Sequence, residues 1–182
     1  MCSPPFNLSR RAFLTSAATA VPFLATPLAT FANSVEQRSV SFVHTHTGEH
    51  LTATYFRGGQ YDPASLERVN YLLRDFRRGE VASMDTGLLD ILHDLKVLAN
   101  RDSTFEIISG FRSPATNEQL RAKSGGVAEK SLHMQGKALD IRLTGFSTKK
   151  LQQLAMSLRR GGVGFYDSSD FIHVDTGRVR YW

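Results

Sequence analysis

The chain has 182 residues, 41% of them hydrophobic and 21% charged, with one cysteine and a formal charge of +5. That composition excludes collagen-like, disulfide-stapled and wholly disordered classes. Because the cysteine is Cys2, no later thiol can serve as disulfide partner, zinc-finger ligand or nucleophile. Two basic residues, Arg10 and Arg11, lie in a stretch of 32 residues without Asp or Glu, and beyond it 20 Lys and Arg face 17 Asp and Glu. So small and dispersed a surplus does not indicate nucleic acid as a partner.

Ser9-Arg10-Arg11-Ala12-Phe13-Leu14 opens an uncharged run from Ala12 to Asn33, rich in Ala, Thr and Leu and ending near small residues at Thr30 and Ala32. A twin-arginine start, a mildly apolar middle and a small-residue end are the parts of an export signal. The pattern resembles the bacterial twin-arginine translocation signal, which exports proteins already folded. The run is long enough to cross a bilayer, but Pro22, Pro27 and its threonines make it a poor permanent span. The expectation is cleavage after Ala32, leaving residues 33–182 as one periplasmic domain with no stable membrane insertion.

Residues 39–56 alternate as a hairpin does, with Val40, Phe42 and His44 on one face and a turn at Thr47-Gly48-Glu49. Asp62-Pro63 begins a helix in which Leu66, Val69, Leu72, Leu73 and Phe76 recur at helical spacing until Gly79. A second helix follows Asp85, with Leu88, Leu89, Ile91, Leu92, Leu95 and Leu98 on a broad apolar face. Short strands are then predicted at 104–109, 138–143, 162–166 and 171–175. A helix falls near 114–123, and another is capped by Ser147 and closed by Gly161-Gly162. Strands and helices do not alternate regularly, which favours an α+β fold with a small central antiparallel sheet flanked by helices.

Of the six histidines, His93 falls inside the second helix, and His44, His46 and His50 belong to the hairpin. Surface or core packing accounts for these four, an adventitious metal tract in the hairpin being the alternative. His133 differs: it stands in Ser131-Leu132-His133-Met134-Gln135-Gly136, a loop running through glycine into an apolar strand that carries Asp140. A carboxylate in such a strand is expensive to bury unless something positive holds it. In Asp170-Phe171-Ile172-His173-Val174-Asp175, strand geometry places His173 and Asp175 on one face and Asp170 at the strand's entry.

His133, Asp140 and His173 offer two imidazoles and a carboxylate, the ligand set of a catalytic zinc site that leaves a fourth position for water. Zinc lowers the pKa of that water to about 7 and polarises a carbonyl. Amide hydrolysis further needs a proton acceptor and a cation for the oxyanion. Asp170 is placed to be the base, and Arg112, in Ser109-Gly110-Phe111-Arg112-Ser113, to be the cation. The residues alone also allow a hydrogen-bonded His133–Asp140 pair, Arg112 in a simple salt bridge, and Asp175 as the partner that orients His173.

The sequences S-x-H-x-x-G-x-A-x-D (Ser131 to Asp140), D-x-x-H (Asp170 to His173) and S-G-F-R-S (Ser109 to Ser113) together resemble the motif set of the M15 zinc peptidases. With the closing G-G-V-G-F-Y and H-V-D-T-G-x-x-R-x-W, the chain is similar to the YcbK-like (DUF882) branch of murein endopeptidases over essentially all of 39–182. The resemblance implies a hedgehog/D-Ala-D-Ala-peptidase-like fold with one zinc held by His133, Asp140 and His173, Asp170 as general base and Arg112 as the substrate-binding cation. It implies peptidoglycan as substrate, with hydrolysis of a D-alanyl–diaminopimelate or diaminopimelate–diaminopimelate link. One departure is that many M15 members have Glu and Trp before the last histidine, where this chain has Asp170, Phe171 and Ile172. The rival readings are a carboxypeptidase that trims terminal D-alanine and a non-catalytic zinc-containing wall-binding module. The presence of Asp170 and Arg112 speaks for a hydrolase.

Overall fold

The computed structural model describes residues 36–124 and 126–182; the signal expected over 1–32 lies outside them. The first strands are β1 (Gln37–His44), β2 (His50–Arg57) and β3 (Gln60–Tyr61), followed by helices α1 (Pro63–Leu72) and α2 (Thr86–Ala99). Next come β4 (Phe105–Ser109), α3 (Pro114–Lys123), β5 (Ala138–Leu143) and α4 (Thr148–Leu158). The chain closes with β6 (Gly162–Tyr166), β7 (Phe171–Asp175) and β8 (Arg180–Tyr181).

The eight strands of the described residues join one sheet in the order β3-β2-β1-β4-β5-β7-β6-β8. Five of its seven neighbouring pairs are antiparallel, while β1 with β4 and β6 with β8 are parallel. The α+β class therefore holds, but the sheet is mixed and wider than the small antiparallel one expected. Two strands that run the same way need a long crossover between them, and α1 and α2 supply it for β1 and β4.

The helices start where the capping chemistry places them. Asp62 accepts from the Ser65 amide at 3.2 Å, Asp85 from the Gly87 amide at 2.9 Å and Ser147 from the Lys150 amide at 3.4 Å. The apolar face of α2 buries Leu88, Leu89, Leu92 and Leu95 against β1 and α4. Each fully buried leucine contributes about 1.5–3 kcal/mol. Asp90 interrupts that face, and it is buried because three donors reach it: Arg38 at 2.9 Å, the Tyr55 hydroxyl at 3.0 Å and the Tyr61 hydroxyl at 2.8 Å. It thereby fastens β1, β2 and β3 to the helix.

Two boundaries differ from expectation. α1 stops at Leu72 rather than running to Gly79. The Leu73 carbonyl accepts from the Phe111 amide at 2.8 Å instead of continuing a helical ladder, and Asp75 turns back on the Arg77 amide at 3.1 Å and bridges Glu80. Likewise α4 is closed by Arg159 in the left-handed conformation, with φ of 53°. Gly161 serves packing instead, since a Cβ there would run into the Asp175 carbonyl.

His44 is a core residue, fully buried with its ring edge on Phe76 at 5.1 Å. Its Nδ1 accepts from the His46 amide at 3.2 Å, and burial pushes the imidazole pKa down, so it packs as a neutral ring. His46 stacks on Phe76 at 4.8 Å. Neither joins a metal-binding group among the described residues.

Candidate metal centre

Antiparallel pairing of β5 and β7 sets Asp140 directly opposite His173, so the two side chains share one face of the sheet. His133 arrives from a 3-10 turn at Leu132–Gln135 whose first amide groups are tied down locally. The Ser131 hydroxyl accepts from the His133 amide at 3.3 Å, and the turn ends on Gly136 with φ of 66°. Gly136 is required twice over, by the positive φ and because a Cβ would collide with the Ser83 carbonyl. The Gly110–Ser113 loop after β4 closes the site, seated on the Leu73 carbonyl, where a Cβ on Gly110 has no room.

The three predicted ligands meet at one point, all buried, with His133 Nε2, Asp140 Oδ1 and His173 Nδ1 facing one another. His133 Nε2 lies 3.3 Å from both Asp140 Oδ1 and His173 Nδ1, and His173 Nδ1 lies 2.9 Å from Asp140 Oδ1. Donors bound at about 2.0–2.1 Å around a tetrahedral ion stand roughly 3.3–3.4 Å apart; both His133 separations match this, and the Asp140–His173 one is shorter. The outward-facing ring nitrogens decide the chemistry. His133 Nδ1 is 2.7 Å from the Gly110 carbonyl, which can only accept, so that nitrogen carries the proton. His173 Nε2 donates in the same way to Asp175 Oδ2 at 3.1 Å. Two imidazole lone pairs and a carboxylate oxygen are thus left converging with no proton of their own between them, an arrangement that fits a divalent cation.

Electrostatics favours the unprotonated forms of Asp140 and His133. Burial by itself would raise the Asp140 carboxyl, but His133, His173 and Arg112 around it hold it well below the usual carboxylate range. Burial likewise pushes His133 down, and outweighs the attraction of Asp140. His173 is pushed down by burial too, but the carboxylates of Asp140 and Asp175 on its two sides win and raise it. Asp175 is wholly buried and fully occupied: the Gly162 and Gly177 amides donate to it at 3.0 and 2.8 Å, and Arg180 grips both its oxygens at 3.1 and 2.7 Å.

Arg112 reaches the same centre. Its Nη2 pairs with Asp140 Oδ2, the oxygen not facing the histidines, and its Nε donates to Ser109 Oγ at 2.8 Å. The neighbouring residue is anchored by buried Asp75, which accepts from the Ser113 amide at 3.0 Å and the Ser113 hydroxyl at 2.7 Å. Sequence reasoning missed Asp75, whose partner lies 38 positions away and whose local context suggests only a helix tail. It also gave no role to Arg180 and Trp182, although both stand in the closing motif; the five-residue step from Asp175 to Arg180 is the signal that could have found the first.

The structure brings His133, Asp140, His173 and Arg112 together at a cleft of about 590 Å³, walled further by Lys130, Tyr166, Phe171 and Trp182. It places Asp170 differently. That residue is exposed, sits in the left-handed conformation with φ of 50° after a 3-10 turn at Asp167–Ser169, and is not among the residues lining the cleft, although Ser169 and Phe171 on either side of it are. Arg142 fixes the rim by donating to the Ser169 and Asp170 carbonyls.

Two imidazoles, one carboxylate and an adjacent guanidinium at an open cleft define the class of metal-dependent hydrolases. Comparison with known proteins narrows this. The family model Peptidase_M15_2, described as peptidoglycan L,D-endopeptidase MepK, matches residues 32–182, and the chain belongs to that family. The peptidoglycan L,D-endopeptidase MepK of Escherichia coli K12 is 37% identical over 179 residues, covering 97% of this chain and 98% of the relative. The probable peptidoglycan L,D-endopeptidase MepK of Haemophilus influenzae is 42% identical over 146 residues, 80% of this chain and 78% of its own. No helix of the described residues is long and apolar enough to cross a membrane.

Proposed function

We propose that the chain is a zinc-dependent endopeptidase that hydrolyses L,D peptide crosslinks of peptidoglycan in the periplasm. The observation that carries the reading is the convergence of His133 Nε2, Asp140 Oδ1 and His173 Nδ1 beside Arg112 at an open cleft. The link type follows the relatives, both named as L,D-endopeptidases.

His133, Asp140 and His173 would hold zinc, which when bound supplies Lewis-acid polarisation of the scissile carbonyl and a lowered pKa for the attacking water. Gly110 and Asp175 keep the two imidazoles in the tautomers that point their lone pairs inward. Arg112 fixes the Asp140 carboxylate through Nη2, and its Nη1, without a partner among the described residues, is left to bind the substrate carbonyl oxygen as negative charge develops there. Asp140 is the only Asp or Glu among the described residues lining the cleft, and it serves as a ligand. A proton acceptor must therefore come in from the rim. Asp170, between two lining residues on a backbone clamped by Arg142, is the group in position to turn inward as substrate binds.

The test is digestion of purified peptidoglycan sacculi by residues 33–182, with and without chelator, followed by muropeptide analysis. Loss of diaminopimelate–diaminopimelate dimers, abolished by chelator, is the expected result. Intact dimers with shortened stems would instead mean a carboxypeptidase, and unchanged muropeptides a binding module. In the same assay Asp170→Ala is expected to retain zinc and lose about two orders of magnitude in rate; undiminished turnover would remove Asp170 from the mechanism.

Export by the twin-arginine route rests on Ser9-Arg10-Arg11-Ala12-Phe13-Leu14. Replacing Arg10 and Arg11 together by lysine is expected to leave the protein in the cytoplasmic fraction of expressing cells. Undisturbed periplasmic recovery of that variant would exclude this route.

A further inference from the structure

Trp182 is the only tryptophan of the chain and is held in place from four directions. Its backbone continues β8 along β6, with the Phe165 amide donating to the Trp182 carbonyl at 3.0 Å and the Trp182 amide to the Val163 carbonyl at 3.2 Å. The indole lies flat on Gly164, where any Cβ would collide with the ring, and Gly164 is the residue paired across the sheet with His173. The ring centroid is 5.3 Å from the His173 imidazole, and the Arg180 guanidinium sits 4.9 Å from the ring. Finally, the indole Nε1 donates to the Tyr166 hydroxyl at 3.3 Å, and Tyr166 stacks on Phe171 at 4.6 Å with 17° between planes.

All this fixes a ring that is still 48% exposed and that lines the cleft beside a metal ligand. Apolar surface left in water forgoes the stabilisation that burial gives, so a rigidly held, half-exposed indole is surface kept for a contact. Arg112, Lys130 and Arg180 line the same cleft, and no lining residue but Asp140 is acidic among those described. The cleft thus combines a preorganised aromatic patch with cationic side chains.

The geometry points to Trp182, with Tyr166 and Phe171, as the substrate-contact wall: the indole receives the peptide stem beside the scissile bond while Lys130, in the same cleft, meets the carboxylates that the stem carries. Rigid aromatic rings give large contact area at little conformational cost, which suits a flexible peptide ligand. The inference rests on the endopeptidase reading for its substrate, but the wall has its own readout, because all tryptophan fluorescence of the protein comes from this one ring.

The experiment mixes the zinc-loaded protein in a stopped-flow fluorimeter with a soluble muropeptide dimer joined by a diaminopimelate–diaminopimelate link. A saturable change in emission is expected before product forms. In steady state Trp182→Ala should raise KM by roughly tenfold while kcat falls less than KM rises, with Trp182→Phe recovering most of the loss and zinc content intact in both. Gly164→Ala keeps the fluorophore but pushes it off its seat, and should blunt the emission response. Unchanged emission at saturating dimer, or an unchanged KM in Trp182→Ala, overturns the wall. A fall in kcat together with loss of zinc overturns it too, making the indole a support for His173. If the dimer changes the emission but is never cleaved, the endopeptidase reading fails and the wall stands.

Discussion

His133→Ala is expected to leave a protein without stoichiometric zinc, and its rate on crosslinked muropeptides should fall by roughly a thousandfold or more, which is about 4 kcal/mol of transition-state stabilisation. Three side chains make up the group that could hold a metal ion, and removing one leaves a two-point site. His133 is the informative member because its loss is local: the Gly110 carbonyl loses a donor, while the Asp140–Arg112 and His173–Asp175 contacts stay satisfied. Asp140→Ala should abolish zinc equally, and there the damage extends further, since Arg112 loses its carboxylate in a largely buried setting. Elemental analysis of the purified variants decides the assignment. Full zinc occupancy in His133→Ala would remove this residue from the ligand set whatever happened to activity.

The three residues of this candidate metal group were legible in the sequence because each breaks a local rule. Asp140 is a carboxylate in an otherwise apolar strand, His173 shares a strand face with a second carboxylate, and His133 stands in a turn that ends on a glycine with positive φ. Helix starts were equally legible, since Asp62, Asp85, Ser113 and Ser147 cap through atoms two or three residues away. Features set by distant partners were not. The end of α1 is fixed by Phe111 taking the Leu73 carbonyl, and the parallel pairing of β1 with β4 joins segments some 60 residues apart. Asp170 marks the same limit in the site. Alternation counted from His173 holds only while the backbone is extended, and its left-handed φ of 50° ends that count one residue before the strand begins.

Asp175→Ala should produce the largest loss of fold stability of any single substitution near the centre, by about 3–5 kcal/mol. Asp175 is fully buried, and its removal leaves the Arg180 guanidinium, the Gly162 and Gly177 amides and His173 Nε2 without their common acceptor. Its second effect is on the metal. Without an acceptor at Nε2, His173 is no longer held in the tautomer that presents Nδ1 to Asp140 and His133, and loss of such a partner weakens metal binding by about 10- to 100-fold. Asp175→Asn separates the two effects. The amide keeps the shape and one acceptor oxygen but turns its NH₂ toward the donors that Asp175 satisfies, so some stability should return while zinc affinity stays low. Urea unfolding with and without zinc, alongside zinc competition against a chromophoric chelator, reads both quantities. Zinc affinity equal to that of the parent in both variants would make Asp175 a residue of the fold alone, and would leave the orientation of His173 to Asp140 and the Trp182 ring.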